Sequence, residues 1–230
     1  MTSRHAPLPD PRRRPIWSKA AIALAPLAVL AACSSGSGDG ASEVTTTTVD
    51  VAAIQEALEA RLLGADDLAT ADALDAGWVA GSADEGVDIT LPECVVEHAG
   101  DDAVASGETK LVTDNDLKLP SVEQDLAEYA AGDAAAAFEA AAARLDACEP
   151  EFVFQGQPSL GQTERLPLTV TGAQSAAWRT TVTIAGAEVA ITTIHVQEGD
   201  LETALVHVDL GAPDPVVLED LAAKAVAKLS

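Results

Sequence analysis

The chain reads as an α+β domain: an antiparallel β-sheet with a C-terminal three-stranded meander, packed by helices that include a C-terminal one, and held by one disulfide. Three observations carry this. Residues 176 to 210 alternate apolar and polar side chains, are rich in Val, Ile and Thr, and break at Ala185-Gly186 and at Glu198-Gly199-Asp200. Period-two alternation between turn formers is the mark of antiparallel strands joined by short turns. After Pro213-Asp214-Pro215, the residues Val217, Leu218, Leu221, Ala225 and Leu229 recur at helical spacing, so an amphipathic helix follows the meander and packs on it. Finally, two cysteines, Cys94 and Cys148, remain once Cys33 is assigned elsewhere.

From the N-terminus, residues 1 to 19 are basic and polar, and residues 20 to 32, AAIALAPLAVLAA, are apolar and uncharged. The run is shorter than the ~20 residues a spanning helix needs, and it contains Pro26, so it reads as the hydrophobic part of an export signal. Leu30-Ala31-Ala32-Cys33 resembles the bacterial lipobox. Residues 1–32 are therefore expected to be a lipoprotein signal peptide, and Cys33 to carry a thioether-linked diacylglycerol with palmitate-type acyl chains. That lipid is the expected membrane partner, holding the chain at the extracytoplasmic face of the cell membrane. Arg12-Arg13-Arg14 lacks the rest of a twin-arginine motif and serves as the positive end of the signal. Residues 33–48 are Ser-, Gly- and Thr-rich and read as a flexible tether with a reach of ~20 Å.

The folded domain is expected over 49–230. Val51, Ile54, Leu58 and Leu62 have helical spacing, with Asp50 as cap and Gly64 as stop. An acidic stretch follows, and Gly77 precedes Trp78 and Val79, a core contact. Residues 80 to 93 read as loop with one short strand, VDITL, and a second short strand is predicted at 109–112. Residues 121–130 fit a strand or a helix, since Val122, Leu126 and Tyr129 have helical spacing. The alanine-rich stretch 132–149 is a strong helix, stopped by Pro150. In the meander, a turn at Ala185-Gly186 puts Trp178, Val182, Val189 and Ile191 on one core face. A three-residue turn at 198–200 puts His195 and His207 together on one face, half-exposed.

Hydrophobic residues make up 48% of the chain but aromatic ones only 3%, so alanine dominates and large core side chains are scarce. The full chain carries a net charge of -24; without the first 32 residues, eight basic face 36 acidic side chains, a net of -28. No basic stripe follows residue 33, so nucleic acid is excluded as a partner, and the acidic surface reads mainly as a source of solubility.

Cys94 and Cys148, left in an exported chain, are expected to pair, and closing a loop of this length stabilises by ~4 kcal/mol in the chain-entropy model. LLGADDL with Gly77-Trp78, Cys94, AAAAFEAAAARLDACE with Cys148, WRTTVTIAG and PDPVVLEDLAAKAVAKL together resemble the actinobacterial PknH-like extracellular sensor domain, in order, over residues 50 to 229. The resemblance implies helices on an antiparallel sheet around a ligand-sensing cleft. Such domains form the outer part of receptor serine/threonine kinases and also occur as stand-alone lipoproteins. The second disulfide that many of them carry has no cysteines here, and the chain holds no Gly-rich loop, catalytic-loop or D-F-G pattern of a kinase.

The residues supply no catalytic set. His98, His195 and His207 occur in no H-x-x-x-H, H-E-x-x-H or related arrangement, no G-x-S-x-G is present, and Asp66-Asp67 and Asp101-Asp102 lack calcium-loop spacing. The chain is therefore expected not to be an enzyme and to need neither cofactor nor metal. Tyr129, Trp178 and His195 are the candidate ligand-binding residues. The resulting expectation is a lipid-anchored, sensor-like domain that binds a small envelope ligand or a protein partner. A lipid or glycolipid carrier would instead need a large apolar cavity, and a structural cell-wall interaction protein would need none.

Overall fold

The computed structural model describes residues 50–68, 77–82, 89–90, 92, 94–95, 102–154 and 157–229. The expected signal peptide, Cys33, the tether, His98 and Asp101 lie outside them. Along the described chain run α1 (Val51–Glu59), α2 (Ala65–Leu68), β1 (Trp78–Ala80), β2 (Ile89–Thr90), β3 (Ala105–Thr113), β4 (Ser121–Glu128) and α3 (Ala134–Asp146). They are followed by β5 (Glu151–Phe154), β6 (Gln157–Leu160), β7 (Gln162–Leu166), β8 (Gln174–Ile184), β9 (Ala187–Glu198), β10 (Leu201–Leu210) and α4 (Pro215–Leu229). The main sheet has the order β1-β3-β4-β10-β9-β8-β7, antiparallel throughout, and β2-β5-β6 form a small second sheet.

The expected meander is β8-β9-β10. Ile184 pairs with Ala187 across the two-residue turn Ala185-Gly186, where both residues have positive φ, 50° and 85°. Such turns match the right-handed twist of the strands they join. The second turn differs from expectation: Glu198 pairs with Leu201, so only Gly199 and Asp200 lie between the strands. One residue fewer reverses the face of every side chain on β10 relative to β9.

The segment that fits strand or helix is a strand. β4 lies inside the sheet between β3 and β10, with side chains buried on both faces. Val122 and Leu126 share a face in either conformation, because a spacing of four suits both the helical and the strand period. Pairing with two neighbours decides the matter. β3 extends well beyond the predicted 109–112; its Gly107 lies under α1, where an added Cβ would stand 3.5 Å from Leu62 Cδ1. α1 stops at Glu59 rather than at Gly64, and its start is capped by the Asp50 side chain, which accepts from the Ala53 N–H. The short strands β5, β6 and β7 have no counterpart among the strands that the sequence pattern predicts.

The sheet is covered on both faces. On one, Leu58, Leu63 and Leu68 from the α1–α2 region and Leu218, Leu221, Ala222, Ala225 and Leu229 of α4 pack on Val122, Leu126, Ala177, Ile194, Val196 and Leu205. Buried Gln124 secures this layer, accepting from the Leu63 N–H at 2.7 Å and donating to Thr203 Oγ1 at 3.1 Å. On the other, Phe138, Ala142 and Leu145 of α3 pack on Ala176 and Trp178, while Phe152 and Val95 pack on Val182, Val189, Ile191 and Val206. The Cys94–Cys148 disulfide, with Cα atoms 5.7 Å apart, borders this second cluster.

Candidate functional site

The polar side chains of interest lie on the α3 face of the sheet. Antiparallel register puts Ala176, His195, Ala204, Asp125 and Glu108 side by side on five successive strands, all on that face. Ala176 belongs to the cluster under the middle of α3 and Ala204 to the cluster under its first residue, Ala134, so α3 runs over His195. His195 is fully buried, as is Glu202 on the neighbouring strand, and His195 Nδ1 lies 2.9 Å from Glu202 Oε1. Neither His195 Nε2 nor Glu202 Oε2, both buried, has a hydrogen-bond partner.

Trp178 meets the His195 ring edge-on, with centroids 6.2 Å apart. Its indole N–H donates to Asp146 Oδ1 at 2.7 Å, tying the end of α3 to β8. Arg165 stacks over the indole at 5.2 Å and reaches Asp146 Oδ2 at 3.2 Å. Tyr129 is buried just past β4, in a cluster with Ala127, Ala134 and Ala204. Of the three residues singled out in the sequence, Trp178 and His195 thus touch, and Tyr129 sits with the alanine that faces His195. Trp178 is packed and fully buried rather than exposed in a cleft.

The expected placement of the two histidines on one sheet face is overturned. With the shorter turn, His207 pairs with Thr192 and points to the α1–α4 face, opposite to His195, and both rings are buried rather than half-exposed. The buried surroundings of His207 push its pKa down to about 4, against a smaller upward pull from Asp209. Glu202 and Asp125 escaped sequence reasoning; the i, i+7 spacing of His195 and Glu202 across a tight turn was the only available signal, and it depends on knowing the turn length.

Beyond Asp125 the α3 face stays acidic. Glu108 pairs with Asp125 and Glu123 with Lys110, and an open groove of ≈ 240 Å³ is lined by Ala80, Gly81, Glu108, Thr109, Lys110 and Glu123. A second open groove, ≈ 390 Å³, runs between residues 168 to 171 and the Glu219, Ala223 and Val226 side of α4. Among the described residues, no group of three or more His, Cys, Asp or Glu is arranged to hold a metal ion. No described helix is long and apolar enough to cross a membrane.

No sequence family and no curated protein matches the chain. Its fold is similar to the crystal structure of the extracellular domain of PknH from Mycobacterium tuberculosis, with a TM-score of 0.58 and 13% identity over 76% of this chain and 95% of that one. At this identity the likeness is one of fold.

Proposed function

We propose that the chain is an extracytoplasmic lipoprotein, anchored through lipid on Cys33, whose α+β domain binds a small envelope ligand without catalysis. The fold likeness to a solved extracellular domain carries the reading. The signal-like segment ending in Leu30-Ala31-Ala32-Cys33 and the Cys94–Cys148 disulfide agree with an exported chain. For the anchor, Cys33→Ser should move the protein out of the carbonate-washed membrane fraction or leave its signal uncleaved; unchanged partition and processing would refute it. For binding, native mass spectrometry of the full chain, purified in detergent from its own envelope, should show a bound small polar molecule. Stoichiometric noncovalent lipid would point to a carrier instead, while an unliganded protein that no envelope fraction stabilises would count against binding altogether.

A further inference from the structure

We infer that α4 is an acid-released cover: when His207, buried beneath it on β10, takes up a proton, the helix swings off the sheet about residues 211–214 while the sheet itself stays folded. The first support is where the imidazole sits. His207 shares a row with Arg179, Thr192 and Val122 on four adjacent strands, on the face where α4 packs on β9 and β10 and α1 on β3 and β4. Within that row His207 Nδ1, Thr192 Oγ1 and Arg179 Nε are buried without a hydrogen-bond partner. Among the described residues, the helices bury only apolar side chains in this layer: Leu58, Leu63 and Leu68 from the α1–α2 region, and Leu218, Leu221, Ala222, Ala225 and Leu229 from α4. The charged groups on the sheet are Asp209, half-buried one row along, and Arg179, whose guanidinium faces Glu164 on β7 at 3.8 Å. An imidazolium here would have a guanidinium in its own row and its carboxylate a row away, so burial outweighs the pull of Asp209 and the closed layer refuses the proton.

The second support is that α4 is the least costly element to move. β10 is hydrogen-bonded to β4 on one side and β9 on the other, so exposing His207 through the sheet breaks two ladders. α4 keeps its backbone hydrogen bonds to itself and can leave as a unit. What it gives up is the burial of three leucines and two alanines and one ion pair, Lys228 to Asp67 at 2.9 Å, whose side chains are both about a third exposed. Despite its partial burial, Asp67 is held below the ordinary carboxylate range by the Gly64 N–H and by Lys228, so this pair outlasts the protonation of His207 and does not set the pH of release. The link has a natural pivot: Gly211, at φ 80°, stays tied to the sheet through its N–H to Glu188 O, and residues 211–214 belong to neither strand nor helix. Release leaves the α3 face covered and α1 in place over β3 and β4. It dismantles the ≈ 390 Å³ groove, one wall of which is Glu219, Ala223 and Val226 of α4.

Hydrogen exchange on the full chain, corrected for the intrinsic pH dependence of amide exchange, tests this. With the imidazole neutral to about 4 when covered and titrating near 6.5 when solvated, the opening equilibrium of α4 should rise about 30-fold between pH ~7.5 and pH ~5, while β9 and β10 stay protected. His207→Leu should remove that rise. Loss of protection in α4, β9 and β10 together, no rise at all, or an equal rise in the variant would each overturn the inference. If the variant does not fold, the ring 15N resonances of His207 in the wild type decide: protonation in step with α4 exchange supports release, and protonation near pH 6.5 with α4 still protected overturns it.

Discussion

Replacing His207 with leucine, a side chain of similar volume, should change how stability responds to acid. In the folded chain, burial among Thr192, Val122 and their neighbours holds the imidazole neutral down to pH about 4, whereas in the unfolded chain it titrates near its ordinary value of 6.5. Above pH 6.5 neither state binds the proton and the group adds no pH dependence. Between 6.5 and 4 the unfolded chain takes up a proton that the folded chain refuses, so stability falls as pH falls. The slope approaches about 1.4 kcal/mol per pH unit, and the loss accumulates to about 3 kcal/mol before the folded imidazole also protonates. Urea denaturation of wild type and His207→Leu at several pH values from about 7.5 to about 4 measures this directly. Losses from the many carboxylates occur in both proteins and cancel in the difference. That difference should be constant above pH 6.5 and should then move by about 3 kcal/mol in favour of the variant. A difference that stays flat to within about 0.5 kcal/mol across the acid range would refute the burial argument for His207.

Three further outcomes follow from the packing. An added Cβ at Gly161 would stand 2.6 Å from Phe152 Cε2 and 3.1 Å from Pro150 Cγ, and Phe152 is fully buried, so Gly161→Ala should cost about 1–3 kcal/mol in chemical denaturation. A cost near zero would show that Phe152 has room to retreat. Ala185 holds φ at 50° in the first position of its turn, a conformation asparagine tolerates better, so Ala185→Asn should stabilise by about 0.5–1 kcal/mol; a lower melting temperature would contradict this. The disulfide closes a sequence separation of 54, and Cys94→Ser and Cys148→Ser should each cost about 4 kcal/mol because either opens the same loop. Clearly unequal losses would show that something other than loop closure is at work.

The elements that local physics specifies are legible in the amino-acid sequence by itself. Period-two alternation and the Ala185-Gly186 turn define β8 and β9, the Pro213-Asp214-Pro215 start and apolar stripe define α4, and the expectation that Cys33 carries lipid leaves Cys94 and Cys148 as the pair that the structure joins. In each case the information lies within a few residues, or within a count that permits one pairing. Where two periods coincide, as at Val122 and Leu126, the local pattern is silent, and β4 becomes a strand because β3 and β10 supply hydrogen-bonding edges on both sides. β5, β6 and β7 are short and lie around Pro158 and Gly161, which blurs any strand pattern; β6 pairs with its neighbour β5 and β7 with the next strand, β8, while β5 also takes the distant β2 as a partner. The candidate site depends most on tertiary register. Side chains alternate faces along a strand, so a turn at Gly199-Asp200 that is one residue shorter than expected separates His195 from His207 and sets His195 beside Glu202 and in line with Asp125.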